Sequence, residues 1–536
     1  MQTRSAPESS ALAKRSGRSP DTNNIERGAE RLTCGPKDVR TNYEGHSVFR
    51  QHRCFLCVEN IAAGLHANHT PGLNNMSEQK TRSLSQQLTQ RLLRPVDLRS
   101  RQRAVLHWLD WMACVAAGAR SPVAQALAAA RWGPGEGQAA SLLGLVSSEF
   151  HAVLLDAGPA NVEEMDDMHR QAVLHPGPVV IPAIACLARR APLPAPVLLD
   201  ALVRGYEATI RIGRAVGPQH YRYWHNTATA GAFGAAAAGA SVLGLSAEQT
   251  AWALGNAGTQ AAGLWQVRLE PCMSKQLHTG HAAWAGLTAA QLAQAGFTGP
   301  LQILEGPKGF LQAMCAGATG EAIVRTEPDW LIHQTSFKPW PSCRHTHASI
   351  DAALAVRDQL LAAGFTPETI AQRIDRIEVQ SFQDAIDICH HTQPRDRTEA
   401  KFSLAWCMAV VFQQGRPQPE HFDADLLGDA PMRALASRTH AVADAALTHA
   451  YPEHYGARVV LTTDDGRIWQ HAVADSLGDP ERALSPDQIV DKARLLMAYG
   501  GVATGHVESV IAAALSLLDS PAGAFPPVLL APLVRG

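Results

Sequence analysis

Neither sign of charge dominates this sequence, and long runs of large apolar side chains are absent. It contains 47 lysines and arginines against 49 aspartates and glutamates, which gives a formal net charge of −2. Since no global field favours nucleic acid or an anionic membrane, neither is expected as a partner. Any binding site for an anion must therefore be a local cluster of Lys, Arg and His side chains.

One uncharged stretch, residues 226–246, has the length of a membrane span but not its composition. It consists mostly of Ala, Gly, Ser and Thr, and it lacks the density of Leu, Ile and Phe that a span needs. We therefore predict a buried helix whose small residues permit close packing, and no membrane segment.

Several signatures of catalytic chemistry are missing as well. The sequence has no Gly-rich phosphate loop, no iron–sulfur set of cysteines and no G-x-S-x-G nucleophile. Ten cysteines are present, and most of them, such as Cys114, Cys186 and Cys407, stand singly in apolar runs. This pattern is typical of buried, reduced thiols, so we predict a reducing, cytoplasmic location.

The spacing of apolar residues and the helix-capping patterns predict a mainly α protein. Up to about residue 330, runs rich in Ala and Leu have apolar residues at three- and four-residue spacing, as in residues 105–118, and Gly-rich breaks separate the runs. A capping-box pattern, Ser246 to Gln249, follows one such break. These features predict a large all-α helical domain.

The pattern changes after this helical part. Residues 374–382 alternate and are β-branched, and residues 458–473 predict a hairpin that turns at Asp464-Asp465-Gly466. A helix is expected between them at 400–412, and Ser485 to Gln488 is a second capping box that begins a final helical region. The predicted layout is an all-α domain at 80–334 and 478–525, with a smaller α+β domain at 335–477.

The first 75 residues carry little apolar periodicity, so we expect a disordered N-terminal extension there. Its opening is rich in Arg and Ser and faintly resembles a transit peptide. The alternative that we favour is translation from Met76, because folded-looking sequence begins just after it. The pair Cys54 and Cys57 lies in this arm without a second pair nearby, which makes a zinc or redox role weak.

Four segments concentrate ionisable residues within sequence that is otherwise poor in them. In residues 161–177, Asp166 and Asp167 precede His169 and His175. This segment fits a substrate-facing loop, and a metal site or the polar end of a helix are the alternatives. Its residue types include both carboxylates and imidazoles.

In the second segment, residues 221–231, His225 follows three aromatic residues and opens the Ala-rich stretch. It is either a proton-transfer group or a hydrogen-bonded core histidine. In the third, residues 273–286, Lys275 and His278 share a helix face, and Lys275 either meets an anion or extends its amine to solvent.

The fourth segment, residues 336–347, places Lys338 and Arg344 around two prolines, which stiffen the loop. It lies where the helical part meets the α+β part, and clefts between domains are common ligand sites. Together the segments supply cations and imidazoles. These suit a substrate with two or three carboxylates and proton abstraction beside one of them.

The order and spacing of these four segments resemble the MmgE/PrpD family over about residues 85–520. The segments that carry the resemblance are DDMHRQAVLHPG, HNTATAGAFGAAAAGASVLGLS, SKQLHTGHAAWAG and KPWPSCRHTHASIDA. The family includes 2-methylcitrate dehydratase, cis-aconitate decarboxylase and iminodisuccinate epimerase. The resemblance implies an all-α domain with an α+β lid, a homodimer, and no metal or organic cofactor.

The resemblance also implies roles for individual residues. The catalytic residues it predicts are His175, His225 and Lys275, with the imidazoles as acid–base candidates. The predicted binding residues for a small polycarboxylate are Glu164, Asp167, His169, His278, Lys338, Cys343, Arg344 and Trp406.

Some positions depart from the family pattern. Glu164 stands where Asp is usual, Met168 where Thr is common, and Trp406 where Tyr is often found. These departures reshape the expected pocket, so the substrate stays open. We expect a lyase that removes a proton next to a carboxylate and releases water or carbon dioxide. An epimerase of the iminodisuccinate kind and a non-catalytic polycarboxylate-binding protein are the alternatives.

Overall fold

The structure is a computed structural model, and it describes residues 82–130, 139–270 and 272–534. The predicted extension at 1–75, with Cys54 and Cys57, lies outside the described residues.

The first part of the described chain is almost entirely helical, and its only paired strands among the described residues are the two-residue antiparallel β1 (Ala139–Ala140) and β2 (Val146–Ser147). The helices are, in chain order, α1 (Leu84–Leu92), α2 (Leu98–Gly118), α3 (Pro122–Ala129), α4 (Glu149–Ala157), α5 (Gly177–Ala188), α6 (Ala195–Ala215), α7 (Gly217–Tyr223), α8 (Asn226–Val242), α9 (Ala247–Gly258), α10 (Ser274–Gln294), α11 (Phe310–Met314) and α12 (Glu321–Val324).

The uncharged stretch forms α8, which confirms the predicted buried helix. Its residues from Asn226 to Ala240 are all buried, and α8 packs against α5, α6, α9 and α10. Glycine makes this close packing possible: a Cβ added at Gly234 would lie 1.7 Å from Thr209 Oγ1 on α6. The helix is therefore central to the fold, and its first residue follows the candidate site residue His225. No helix among the described residues is both long enough and apolar enough to span a bilayer.

The second part of the chain contains a four-stranded sheet packed against helices. Its elements are α13 (His347–Ala362), α14 (Pro367–Arg373), β3 (Ile374–Ser381), α15 (Gln383–Ile388), α16 (Arg397–Lys401), α17 (Leu404–Gln414), α18 (Ala424–Leu427), α19 (Ala430–Ala436), β4 (Thr439–Ala443), α20 (Ala445–Ala450), β5 (Ala457–Thr463) and β6 (Ile468–Val473). The sheet order is β4-β3-β5-β6, with β3 and β4 parallel and the other two pairs antiparallel.

Two helices, α21 (Pro486–Tyr499) and α22 (Thr504–Asp519), close the fold, and both pack on α2. Their apolar residues share one core with residues from α1, α2, α5 and α6. A separate core holds apolar residues between Trp340 and Val473, drawn from the sheet and its helices. The fold is thus mainly α, and the two final helices pack against the first part of the chain.

Most local predictions are confirmed. Strand β3 occupies the predicted 374–382 stretch, β5 and β6 form the predicted hairpin, and both capping boxes are present. Cys114, Cys186 and Cys407 are buried and free. The prediction of a single helix at 400–412 is wrong, because the helix is interrupted between α16 and α17. Ser403 caps α17 there, and its Oγ accepts a hydrogen bond of 2.9 Å from the Trp406 backbone N–H.

Candidate active site

A cleft lies between the helical part and the sheet-bearing part. It encloses about 570 Å³ of space free of atoms, some of it open to solvent. Glu164, His175, His225 and Lys275 line it from the helical side. The lining residues from the other side are Cys343, Arg344, His345, Ile388 and Phe402. Six of the residues predicted for the site therefore meet in one cavity.

The loop that carries Glu164 follows a 3-10 turn at Pro159–Asn161 and has no regular structure of its own. Glu164 adopts a left-handed backbone with φ of 55°, which costs a residue with a Cβ about 1 kcal/mol or more. Lysines from distant parts of the chain hold this loop. Lys401 Nζ donates 2.9 Å to the Glu163 carbonyl, and Lys492 Nζ donates 2.6 Å to the Met165 carbonyl. The strained conformation is thus fixed by buried ammonium groups.

The Glu164 carboxylate lies between two lysines of the predicted site. Lys275 Nζ pairs with its Oε1, and Lys338 Nζ lies 3.3 Å from its Oε2. Burial by itself raises the pKa of Glu164, but the two ammonium groups outweigh it and lower the pKa to about 2. Glu164 is therefore ionised at neutral pH, and it neutralises part of the charge that the lysines bring to the cleft.

His175 is held by a second buried carboxylate. Its Nδ1 lies 2.9 Å from Asp166 Oδ2 and 3.0 Å from the Asp167 carbonyl, both of which are acceptors. Nδ1 therefore carries a proton, and Nε2 is the ring nitrogen left for a substrate. Burial raises the pKa of Asp166, but His175 and Lys338 together hold it well below its usual value. This geometry is that of an oriented acid–base imidazole.

His225 is a different kind of histidine. It precedes α8, its ring lies against Trp265 with 4.3 Å between centroids, and its Nδ1 lies 3.3 Å from His278 Nδ1. Burial, helped by the charge of Lys275 and the neighbouring His278, holds the pKa of His225 well below its usual value. It is therefore neutral at physiological pH, able to accept or donate one hydrogen bond at the cleft wall.

Arg344 lines the cleft but is already paired. Its guanidinium forms an ion pair with the fully buried Asp479, and its NH1 lies 3.1 Å from His347 Nδ1. Arg268 is also on the cleft lining, where it lies over the rings of Trp265 and Tyr221 at 5.0 and 5.8 Å. Across the described part of the chain, no carboxylate lies within 4.0 Å of Arg268, so its charge is available to a ligand.

Five predicted residues are placed beside the cleft rather than on its described lining. Lys338 is fully buried and contacts Glu164 and Asp166, and His278 contacts His225. The other three are further back. Asp167 accepts hydrogen bonds from Tyr206 and the Gly177 backbone N–H and pairs with His107. His169 is buried, and its Nδ1 accepts a hydrogen bond of 3.2 Å from the Ala172 N–H. The Trp406 indole N–H donates to the His421 carbonyl.

Sequence reasoning left several lining residues without a predicted role. Asp166 is not on the lining but pairs with the lining residue His175, and nothing in the sequence tells which of the two adjacent aspartates does so. Lining residues without a predicted role include Tyr221, Trp265, Arg268, His345 and Phe402. Tyr221 and His345 lie within two of the four polar segments, which is the signal that the sequence carries for them.

A metal site was one alternative for the aspartate and histidine segment. Within the ranges that the structure describes, no group of three or more His, Cys, Asp and Glu residues has a geometry that could hold a metal ion. The expectation of a site without metal or organic cofactor stays a prediction.

Comparison with known proteins places the chain in a family. The MmgE/PrpD N-terminal domain matches residues 83–322, and the MmgE/PrpD C-terminal domain matches residues 340–517. The chain belongs to the MmgE/PrpD family. The boundary between the two matches, near residue 330, coincides with the change from the all-helical part to the part that contains the four-stranded sheet.

Curated relatives resemble the chain at low identity. A cis-aconitate decarboxylase-like protein of Aspergillus oryzae is 27% identical over 368 residues, covering 64% of this chain and 75% of that protein. The cis-aconitate decarboxylase of Aspergillus terreus is 28% identical, over 48% of this chain and 56% of the enzyme. The cis-aconitate decarboxylase of Mus musculus is 27% identical, over 54% of this chain and 59% of the enzyme. The chain thus matches little more than half the length of these two enzymes.

Proposed function

We propose that this MmgE/PrpD protein is a lyase that acts on a small di- or tricarboxylate. The observation that carries the proposal is the His175–Asp166 pair, which lies in one cleft with Lys275 and close to Lys338. An oriented imidazole next to ammonium groups is what proton abstraction beside a carboxylate requires. The named relatives act on cis-aconitate or are called similar to enzymes that do.

The steps follow from the placement of charges. The anionic substrate enters with one carboxylate on Arg268, which has no carboxylate partner among the described residues, and another near Lys275. His175 Nε2 takes the proton alpha to a carboxylate, while Asp166 stabilises the imidazolium that forms. The electron pair moves onto the carboxylate as an enediolate, whose charge the lysines offset.

The outcome then depends on the leaving group. In a dehydration, the electron pair of the enediolate forms a carbon–carbon double bond and expels a hydroxyl from the neighbouring carbon. The hydroxyl leaves as water after it takes a proton from the imidazolium. In a decarboxylation of an unsaturated acid, His175 acts as the acid instead. It gives a proton to carbon while the carbon–carboxylate bond breaks and carbon dioxide leaves. Both reactions use the same imidazole and the same cations.

An epimerase of an iminodisuccinate-like dicarboxylate is the second candidate. The observation that favours it is a second lining imidazole, His225, which is neutral at physiological pH and can serve as a second base. Two imidazoles can remove a proton from one side of a carbon and return it from the other. The proton abstraction is shared with the lyase, and the absence of an elimination distinguishes the two.

We also propose that residues 335–477 act as an α+β lid on an all-α domain formed by 80–334 and 478–525. The placement of Cys343, Arg344 and Phe402 opposite His175 and Lys275 across the cleft supports this. The further proposals, a homodimer in the cytoplasm that needs no cofactor, rest on the family resemblance and the thiol pattern.

Turnover of a polycarboxylate panel tests the proposal. Purified protein is incubated with 2-methylcitrate, citrate, cis-aconitate and iminodisuccinate in heavy water, and the products are followed by NMR. Loss of water or carbon dioxide from one member supports the lyase. Deuterium uptake with inversion and no elimination supports the epimerase. No product and no exchange with any member contradicts both.

A further inference from the structure

The wall of the cleft that comes from the sheet-bearing part carries a thiol against an imidazole. Cys343 Sγ lies 3.3 Å from His345 Nδ1, and both residues line the cleft. The pair is in the turn that leads into α13, where the Thr346 N–H donates 2.9 Å to the Cys343 carbonyl. The two side chains are thus fixed next to each other at a surface that a ligand reaches.

His345 has an unusual environment for a buried histidine. It is 5% exposed, and the structure, within its described ranges, gives its Nε2 no hydrogen-bond partner. Three aromatic rings surround it, those of Phe382, Tyr451 and Tyr455, with centroid distances of 5.5, 6.0 and 5.5 Å. These contacts are tilted, with interplanar angles of 45°, 42° and 39°, and they hold the imidazole in place beside the Cys343 thiol.

Cys389 completes the group. It is buried beside Cys343, and both residues flank the 401–404 segment: the Cys343 N–H donates 2.9 Å to the Lys401 carbonyl, and the Leu404 N–H donates 3.1 Å to the Cys389 carbonyl. Burial opposes ionisation of Cys343, but the Cys389 thiol and the His345 imidazole hold the pKa of the Cys343 thiol well below its usual value.

We propose that Cys343 and His345 form a nucleophilic thiol–imidazole pair that captures small electrophilic carboxylates entering the cleft. His345 takes the thiol proton, and the thiolate sulfur attacks. With an α-halo acid, a carbon–sulfur bond forms and halide leaves. With an α,β-unsaturated acid, sulfur bonds to the β-carbon, the π electron pair moves to the α-carbon, and the imidazolium returns its proton there. The net result is addition of S–H across the double bond.

The ligand class follows from the cations of the same cleft. Arg268 lines it together with Cys343 and has no carboxylate partner among the described residues, so an electrophile that carries a carboxylate is attracted to the thiol and a neutral one is not. The inference rests on the geometry of Cys343 and His345 in the cleft wall, and labelling of the thiol can be measured in the absence of any lyase turnover. A failure of the proposed lyase activity and a failure of this inference are therefore distinguishable.

Competitive alkylation tests the pair in the intact protein. Native protein is treated at neutral pH with iodoacetate or, separately, iodoacetamide, and peptide mass spectrometry follows each cysteine over time. The exposed Cys272 serves as the internal reference, and the core residue Cys407 reports on folding. We expect Cys343 to react about tenfold faster than Cys272 with iodoacetate, and the preference for Cys343 to be smaller with iodoacetamide. Cys407 should stay unlabelled.

His345→Phe supplies the matched variant, because a phenyl ring fits among the three aromatic rings but cannot accept the thiol proton. Labelling of Cys343 should fall about tenfold, while that of Cys272 stays unchanged. Two results overturn the inference. One is Cys343 reacting no faster than Cys272 with either reagent in the native protein. The other is undiminished labelling of Cys343 in the His345→Phe variant with Cys407 still protected.

Discussion

At the scale of single residues, Glu164 decides the charge of the cleft. Its two carboxylate oxygens face Lys275 and Lys338, so part of the charge of these ammonium groups is neutralised before a ligand arrives. A substrate carboxylate must share the lysines with Glu164 or draw on another cation. Arg268 has no carboxylate partner within the described ranges and lies on the lining, which makes it the cation that a ligand meets first.

The first prediction concerns Glu164→Gln. Removing one partner of a buried ion pair leaves unpaired charge, so the free energy of unfolding at neutral pH should fall by about 3 kcal/mol. The pKa of Glu164 lies below its ordinary value of 4.5, at about 2 in the folded protein. The folded state therefore binds this proton less readily than the unfolded state, and its contribution to stability is lost as pH falls from about 4.5 towards 2.

Urea unfolding over that pH range measures the effect. The wild type should lose stability on acidification more steeply than Glu164→Gln. The exposed Glu508, paired with Arg494, provides the control, and Glu508→Gln should follow the wild type. Parallel curves for wild type and Glu164→Gln would contradict the assignment of an ionised, ion-paired Glu164.

Arg268→Ala is the second prediction. Losing a charged hydrogen bond to a substrate carboxylate should raise KM about tenfold to a hundredfold and leave kcat within about twofold. Steady-state kinetics on the substrate identified by NMR measures both constants. Arg222→Ala removes another exposed arginine, which is absent from the cleft lining, and should change neither constant. An unchanged KM in Arg268→Ala would remove Arg268 from the binding site.

At the scale of elements, the sequence predicted what depends on neighbouring residues. The capping boxes at Ser246 and Ser485 and the β5–β6 hairpin are local patterns, and the structure confirms them. The break between α16 and α17 was not predicted, because the apolar spacing of 400–412 continues across it. Ser403 caps a new helix there and also donates to the His391 carbonyl, a contact that arises only in the folded chain.

Helix α8 gives the third prediction, on packing. Gly234→Ala places a methyl group against Thr209 on α6, so the helices must separate and the free energy of unfolding should fall by about 1–3 kcal/mol. Gly505→Ala, on α22, adds the same methyl where nothing lies within 4 Å and should be neutral or slightly stabilising. Chemical denaturation of both variants measures the difference. Equal stability of the two would contradict the close α6–α8 contact.

At the scale of the whole molecule, the site depends on partners far apart in the chain. Lys401 and Lys492 reach the loop of Glu163 and Met165 across more than two hundred residues. Such pairings have no sequence signal, because they are set by how the two parts of the fold meet. This is why the sequence identified the four polar segments but could not say which side chains face the cleft. Asp166 and Asp167, adjacent and chemically equal, have different partners.

Asp479→Asn gives the fourth prediction. The buried Asp479 pairs with Arg344, lies 3.4 Å from Arg170 and accepts 2.6 Å from Ser336, so it joins the two sides of the cleft. Its replacement should lower the free energy of unfolding by about 3 kcal/mol and also reduce turnover, because Arg344 loses its support. Asp491→Asn, at an exposed ion pair, should stay within about 0.5 kcal/mol. Unchanged stability of Asp479→Asn would rule out this network as a structural link.

Hydrogen exchange at the substrate in heavy water tests the central claim most directly. Wild type, His175→Gln and His281→Gln are incubated with the polycarboxylate that the wild type converts, and NMR follows deuterium incorporation and product. His281 is an exposed imidazole on α10 outside the cleft lining, so its variant should match the wild type. His175→Gln should lose both exchange and product by about a thousandfold or more. Wild-type exchange in His175→Gln would contradict the assignment of His175, with Asp166, as the acid–base group.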